Sequence, residues 1–299
     1  MVRFEYLEPI SLQEVIAILT RHGSQAKVLA GGTDLLALLK ERTLKPRFVV
    51  NIKRLTGMEG FIHTPGKGLR IGALTSIRTL ETSSLLKEKY PALAQAAHLL
   101  GSPQVRNLAT IGGNLCNAAP SAETAPPLFS LSASARIAGP KGERTLRLES
   151  FCSGPGTTVL QEGELLTELF LPEPPPRMGS VYIKHCPRGS MDIAVVGVAV
   201  MVAVASGNGK VEECRIGLGA VAPTPFRAKG AEELLRGKKP TELLVQEVAQ
   251  KAAAEVSPIS DIRGSAEYRH QMVRVLTARA LLIALERAHS PEKSWKESL

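Results

Sequence analysis

The stretch Ile193–Ala205, "IAVVGVAVMVAVA", constrains the fold most. It holds thirteen consecutive residues without a charge or a side-chain hydrogen-bonding group. A bilayer-spanning helix needs roughly 20 apolar residues, so this run is too short to cross a membrane. Its valines and isoleucine favour strand over helix. An uninterrupted apolar run, rather than an alternating one, predicts a strand covered on both faces. The chain must therefore place layers on both sides of a sheet in its last third.

The flanking text supports this. Four prolines fall within Pro172–Pro176, which predicts a stiff extended link and a domain boundary at residue 176. Beyond it, "SVYIKHC" and the two halves of "MDIAVVGVAVMVAVASGNGKVEECRIGLGAVA" read as three antiparallel strands, the last two turning at Ser206–Gly209. Helical patterns follow in "AEELLRG", "TELLVQEVAQKAAAEV" and "AEYRHQMVRVLTARALLIALERAH". This predicts a C-terminal domain over 177–290, a three-stranded antiparallel sheet with a helix cluster, and a tail over 291–299.

Residues 1–176 read differently. "FEYLEPI", "AKVLA" and "PRFVVNIK" are strand-like, and "SLQEVIAILTRHG" and "LLALLKERT" are helix-like. Ser11 with Glu14 forms a capping box, and Gly23 is a helix stop. Alternating strands and helices predict a small α/β lobe with parallel pairing over about 1–57. Over 58–176, "GFIHTPGKGLRIGAL" and "ARIAGPKGERTLRL" read as hairpins, "SLLKEKYPALAQAAHLLGS" as helix with Pro91 opening its second part, and "ELLTELFLP" as a strand. That predicts a second lobe with a mixed or antiparallel sheet. The fold class is α+β.

Several functions are excluded or left without support. No apolar leader opens the chain, so a soluble, cytoplasmic protein without a membrane span is expected. The four cysteines (Cys116, Cys152, Cys186 and Cys214) share no C-x-x-C, and the six histidines form no H-E-x-x-H, so no metal site is expected. The net charge of +9 is spread along the chain and aromatics make up only 4%, which argues against a nucleic-acid surface. There is no P-loop and no G-x-S-x-G elbow. "GLGAVA", Gly217–Ala222, fits G-x-G-x-x-A after a strand, but "PTP" follows where a dinucleotide fingerprint must open a helix.

Two glycine motifs remain. "LAGGTDLL" spans 29–36 and "TIGGNLCNAAPSAE" spans 110–123, each with Gly-Gly after an apolar, strand-like segment. The second is poor helix and poor strand, and it reads as loop. Glycines let backbone amides close on a phosphate, and consecutive amides form an anion nest. Thr33, Thr110, Asn114 and Asn117 add short polar side chains. One motif in each lobe could hold an extended dinucleotide from both sides.

The pair "AGGTDLL" and "TIGGNLCNAAPSAETAPPL" resembles the FAD-binding subunit of the molybdenum hydroxylases, a family that includes xanthine dehydrogenase and carbon monoxide dehydrogenase. "GSPQVRN", "GALT" at 72–75, "GPG" at 154–156, "GELLTELFLP" and the "YIKHCPRGSMDIAVVG" region extend the resemblance over nearly the whole chain, most like the bacterial xanthine dehydrogenase FAD subunit. The resemblance implies FAD lying between the two lobes. It places Leu29, Ala30, Gly31, Gly32, Thr33, Asp34 and Leu35 around the pyrophosphate. Thr110, Gly112, Gly113, Asn114, Asn117 and Glu123 fall on further contact positions, and Leu166 lies near the adenine or ring system.

Two departures stand out: Glu123 replaces the usual Asp, and Val195 stands where some relatives carry a lysine. No aromatic precedes "GSPQVRN", where His98–Leu100 stand instead. By the same resemblance, iron-sulfur clusters and molybdopterin belong to partner subunits, an iron-sulfur subunit and a molybdenum-cofactor subunit, in a duplicated complex. The terminal acceptor stays open, with NAD among the candidates. A stand-alone FAD oxidase and a non-enzymatic nucleotide-binding module are the alternatives.

Overall fold

The computed structural model describes residues 3–189 and 191–290. The expected tail over 291–299 lies outside the described residues. The chain opens with β1 (Glu5–Leu7), α1 (Leu12–His22), β2 (Ala26–Leu29), α2 (Leu35–Lys40) and β3 (Phe48–Asn51). Its three strands form a parallel sheet in the order β1-β3-β2. Ser11 Oγ accepts from the Glu14 amide at 3.2 Å while Glu14 Oε2 accepts from the Ile10 amide at 2.8 Å. That reciprocal cap starts α1, and Gly23 stops it at φ +49°. In a parallel sheet every strand ends on the same side, so the turns after β1, β2 and β3 share one edge.

The second lobe begins with the hairpin β4 (Phe61–Thr64) and β5 (Gly68–Gly72). Six short helices follow: α3 (Ile77–Thr82), α4 (Ser84–Lys89), α5 (Pro91–Leu99), α6 (Pro103–Leu108), α7 (Ile111–Cys116) and α8 (Ala125–Ser130). Then come β6 (Ser134–Gly139), β7 (Gly142–Arg147), the small hairpin β8 (Cys152–Gly154) and β9 (Thr157–Thr158), and β10 (Leu165–Pro172). The sheet is antiparallel throughout, in the order β4-β5-β10-β6-β7.

The stretch that reads as loop in the sequence carries α7 and α8 instead. Thr110 Oγ1 accepts from the Gly113 amide at 3.0 Å, which starts α7 despite its two glycines. Pro126 and Pro127 sit in the first turn of α8, where a missing amide proton costs no helical bond. The segment before the second glycine pair is α6, a helix rather than a strand.

The last region contains β11 (Met178–His185), β12 (Val196–Val204), β13 (Val211–Gly219) and β14 (Phe226–Arg227), then α9 (Lys229–Leu235), α10 (Glu242–Ala254) and α11 (Ala266–His289). The three expected strands are joined by a fourth of two residues, in the order β11-β12-β13-β14. All nine residues of β12 are buried, with α11 against the sheet and α8 contributing from the preceding lobe. The apolar run is thus a strand covered on both faces. No described helix is long and apolar enough to cross a membrane.

The outer edge of β11 is not left bare. Its Tyr182 amide donates to Gln95 Oε1 on α5 at 2.9 Å, and the Ser180 carbonyl accepts from Arg287 on α11. An uncovered edge would offer a template for strand pairing with another chain. Here the edge becomes the joint between lobes.

Candidate functional site

The two glycine motifs meet. Asn117 Nδ2 donates to Asp34 Oδ1 at 3.3 Å, bridging residues 83 positions apart. The backbones are closer still: a Cβ on Gly31 would stand 2.2 Å from the Leu108 carbonyl oxygen. Only glycine allows that approach. Gly32 has φ +78°, and a Cβ there would meet the Leu29 and Leu36 side chains.

The second motif rests on "GALT". The Gly112 amide donates to the Ala73 carbonyl at 2.9 Å and the Ile111 amide to the Thr75 carbonyl at 3.0 Å. Ala73 in turn donates to the Thr167 carbonyl at 2.9 Å. This ladder ties α7 to the strand that carries Leu166. Leu166 is only 2% exposed and belongs to the hydrophobic core.

The sequence suggests one role for both glycine pairs, and the two differ in how their amides are engaged. The amides of Ile111, Gly112, Gly113 and Asn114 all donate to protein oxygens. Those of Gly31, Gly32, Thr33, Asp34 and Leu35 donate to none of the described groups. Backbone amides without a protein acceptor are therefore found in the first motif and not in the second. The second contributes side chains: Thr124 donates to Asn114 Oδ1 through its amide (3.3 Å) and hydroxyl (2.6 Å), which leaves the Asn114 NH2 as donor. Gly113 is open on its outer side, since only Thr110 Oγ1 lies within 4 Å of a Cβ built there.

Ala30, Thr33 and Leu35 are half-buried along the same turn, and Leu29 is buried beneath it. Asp34 keeps solvent access, yet desolvation by the surrounding walls raises its carboxyl above the usual range, against a hydrogen bond from Thr33.

Glu123 brings in a residue that sequence reasoning passed over. Its Oε1 lies 2.9 Å from Lys184 Nζ, which also donates to the Leu99 carbonyl at 3.2 Å. The Lys184 side chain is 3% exposed. Val195, where some relatives carry a lysine, is buried in the core of the C-terminal region; the lysine paired with Glu123 comes from β11. A signal was present: Lys184 shares a strand face with Ser180 and Tyr182, both buried. Thr124 was also missed.

His98 pairs elsewhere. Its Nδ1 lies 2.9 Å from Glu81 Oε1, in a cluster with Arg78 and Arg106. Among the described residues no His, Cys, Asp and Glu cluster could hold a metal ion. Burial pushes the Cys116 thiol up to about 12, an unreactive state. Beyond "GLGAVA" no helix opens, so that motif is not a dinucleotide turn.

The family described as "FAD binding domain in molybdopterin dehydrogenase" matches residues 2–174, and "CO dehydrogenase flavoprotein C-terminal domain" matches 181–284. The chain is 33% identical to the xanthine dehydrogenase FAD-binding subunit of Escherichia coli O157:H7, over 95% of this chain and 96% of that one. It is 37% identical to the carbon monoxide dehydrogenase medium chain of Hydrogenophaga pseudoflava, over 95% and 98%. A solved carbon monoxide dehydrogenase from that organism superposes with TM-score 0.91 at 37% identity, covering 95% of this chain and 98% of that one. Quinoline 2-oxidoreductase from Pseudomonas putida 86 gives 0.88 at 30%, covering 96% and 98%. The chain belongs to the family of FAD-binding subunits of molybdopterin-dependent dehydrogenases, oxidoreductases of the xanthine and carbon monoxide dehydrogenase type.

Proposed function

We infer that this chain holds one FAD between its two N-terminal lobes and serves as the electron-transfer subunit of a larger complex. One observation carries the reading: five consecutive amides, Gly31–Leu35, carry no protein acceptor and are bridged through Asp34 to Asn117 of the other lobe. A doubly charged pyrophosphate satisfies such a nest. When bound, FAD supplies the redox chemistry, taking electrons from iron-sulfur clusters of one partner and passing them to a terminal acceptor.

The chain's own residues bind and orient. The Gly31–Leu35 amides would hold the diphosphate. Asn114, fixed by Thr124, would present its NH2 to the ligand, and Thr110, by capping α7, would leave the open side of Gly113 to it. Leu166 would stand behind the cofactor as part of the apolar wall. Lys184 and Glu123 would add a largely buried ion pair beside the second motif, where low dielectric strengthens its field.

The division of labour also implies an iron-sulfur subunit and a molybdenum-cofactor subunit, a duplicated assembly, NAD as one acceptor, and a cytoplasmic setting. The C-terminal region from residue 177 would serve as a support for the cofactor domain over 1–176. Heat release followed by chromatography tests the cofactor: FAD at one per chain supports the reading, and FMN or no flavin overturns it. Tandem purification from the native host with metal analysis tests the partners. A metal-free single chain that oxidises an organic substrate would favour a stand-alone oxidase.

A further inference from the structure

We propose that Gly217–Ala220, at the end of β13, is a positioning seat through which the C-terminal region sets the geometry of the FAD site. The inference rests on the cofactor reading above. These residues form the motif that mimics a dinucleotide fingerprint. Their glycines do bring backbone close to a partner, but the partner is protein. A Cβ on Gly217 would stand 2.1 Å from the Pro126 carbonyl oxygen. One on Gly219 would stand 2.8 Å from Pro126 Cγ and 3.7 Å from the Pro120 carbonyl oxygen. The Ala220 amide donates to that same Pro120 oxygen at 2.7 Å.

The seat is braced from behind. Ala220 holds φ +64°, a strained value for a residue with a side chain. Its carbonyl accepts from Arg269 at 3.0 Å, and the same guanidinium, 3% exposed, binds the Val195 carbonyl and Asp261.

What rests on the seat is the segment between Pro120 and Pro126, which contains Glu123 and Thr124. Thr124 fixes the Asn114 amide, and Glu123 holds Lys184. The upstream end of the segment is tied down by the Gly156 amide, which donates to the Ala118 carbonyl at 3.0 Å. With both ends anchored, a methyl pushed against Pro126 must be absorbed by residues 120–126. Cofactor-holding side chains tolerate little displacement.

The test uses the full chain with three variants. Gly217→Ala introduces the Pro126 clash. Gly219→Ala introduces a milder one against a ring carbon, and carries the test if Gly217→Ala does not fold. Gly179→Ala is the control: its Cβ would lie 1.9 Å from the Ala284 carbonyl oxygen, a strand-to-α11 contact whose nearest atoms belong to none of residues 120–126. Thermal midpoints, FAD dissociation constants and visible circular dichroism of the bound flavin are measured for each.

The seat variants are expected to weaken FAD binding about tenfold or more and to shift the flavin spectrum. Gly179→Ala is expected to lower the thermal midpoint while leaving affinity and spectrum near wild type. Seat variants with wild-type affinity and spectrum overturn the proposal, as does an equal loss of affinity in Gly179→Ala. Wild-type protein that binds no FAD overturns the cofactor reading instead.

Discussion

Lys184 Nζ lies 2.9 Å from Glu123 Oε1, in a pair whose side chains are 3% and 14% exposed. Removing one partner strands the other charge in a poorly solvated wall, a change that costs about 3–5 kcal/mol in buried pairs. Because Glu123 retains some solvent, Lys184→Met is expected near the lower end. The double variant with Glu123→Leu should recover a large part of that loss. Thermal and urea unfolding of the four proteins in a double-mutant cycle measures the coupling. In the holoprotein, Lys184→Met should also lower the midpoint potential of the flavin, since a nearby cation favours the more negative reduced state. A potential unchanged from wild type would place Lys184 away from the ring.

The two glycine motifs separate in a second experiment. Gly31→Ala forces a methyl into the Leu108 carbonyl, so stability and FAD affinity should fall together. Gly113→Ala meets only the Thr110 hydroxyl at 2.9 Å. Alanine gains up to about 1 kcal/mol over glycine in a helix, which offsets that crowding. The apo protein should therefore keep its thermal midpoint while FAD affinity drops. Equal affinity in Gly113→Ala and wild type would show that the open side of Gly113 faces no ligand.

These contrasts show where sequence pattern carries information. β12 was legible because thirteen apolar residues leave few options, and the hairpins because Gly and Pro mark their turns. α7 and α8 were not, since Gly-Gly and Pro-Pro are poor helix formers. The Thr110 cap and docking on Ala73 and Thr75 settle α7, while α8 packs against β12 and β13. The Lys184–Glu123 pair joins residues 61 positions apart, and no local periodicity reports such a contact. The motif "GLGAVA" was rightly set aside as a fingerprint, yet the close packing that requires its glycines lies against Pro126, far off in sequence.

The Glu81 cluster predicts an acid-sensitive element. Burial works against ionisation of Glu81, but hydrogen bonds from His98, Arg78 and Arg106 hold its carboxyl below the usual range. A depressed folded value means stability that is present above the unfolded value and lost as pH falls through the folded one. Unfolding midpoints should drop on acidification below about pH 4.5. Glu81→Gln should flatten that dependence, while lowering stability at neutral pH because Arg106, itself buried, loses its counter-charge. Parallel pH profiles for both proteins would refute the assignment.

Asp34 carries the opposite sign. Desolvation raises its carboxyl above the ordinary value, so the folded protein holds that proton to higher pH than the unfolded chain does. Stability from this group is therefore lost as pH rises from the unfolded value through the folded one. The same ionisation places a negative charge beside the amides of Gly31–Leu35, where the diphosphate would bind. FAD affinity should accordingly weaken as pH rises from about 4 through the window above the ordinary aspartate value. Asp34→Asn keeps an oxygen that can accept from Asn117 Nδ2, so the bridge between the lobes survives. It should flatten the pH dependence and bind FAD at neutral pH at least as tightly as wild type. Fluorescence titrations of both proteins across this range decide the matter. A weaker, still pH-dependent Asp34→Asn would mean that the carboxylate serves the ligand directly instead of opposing its charge.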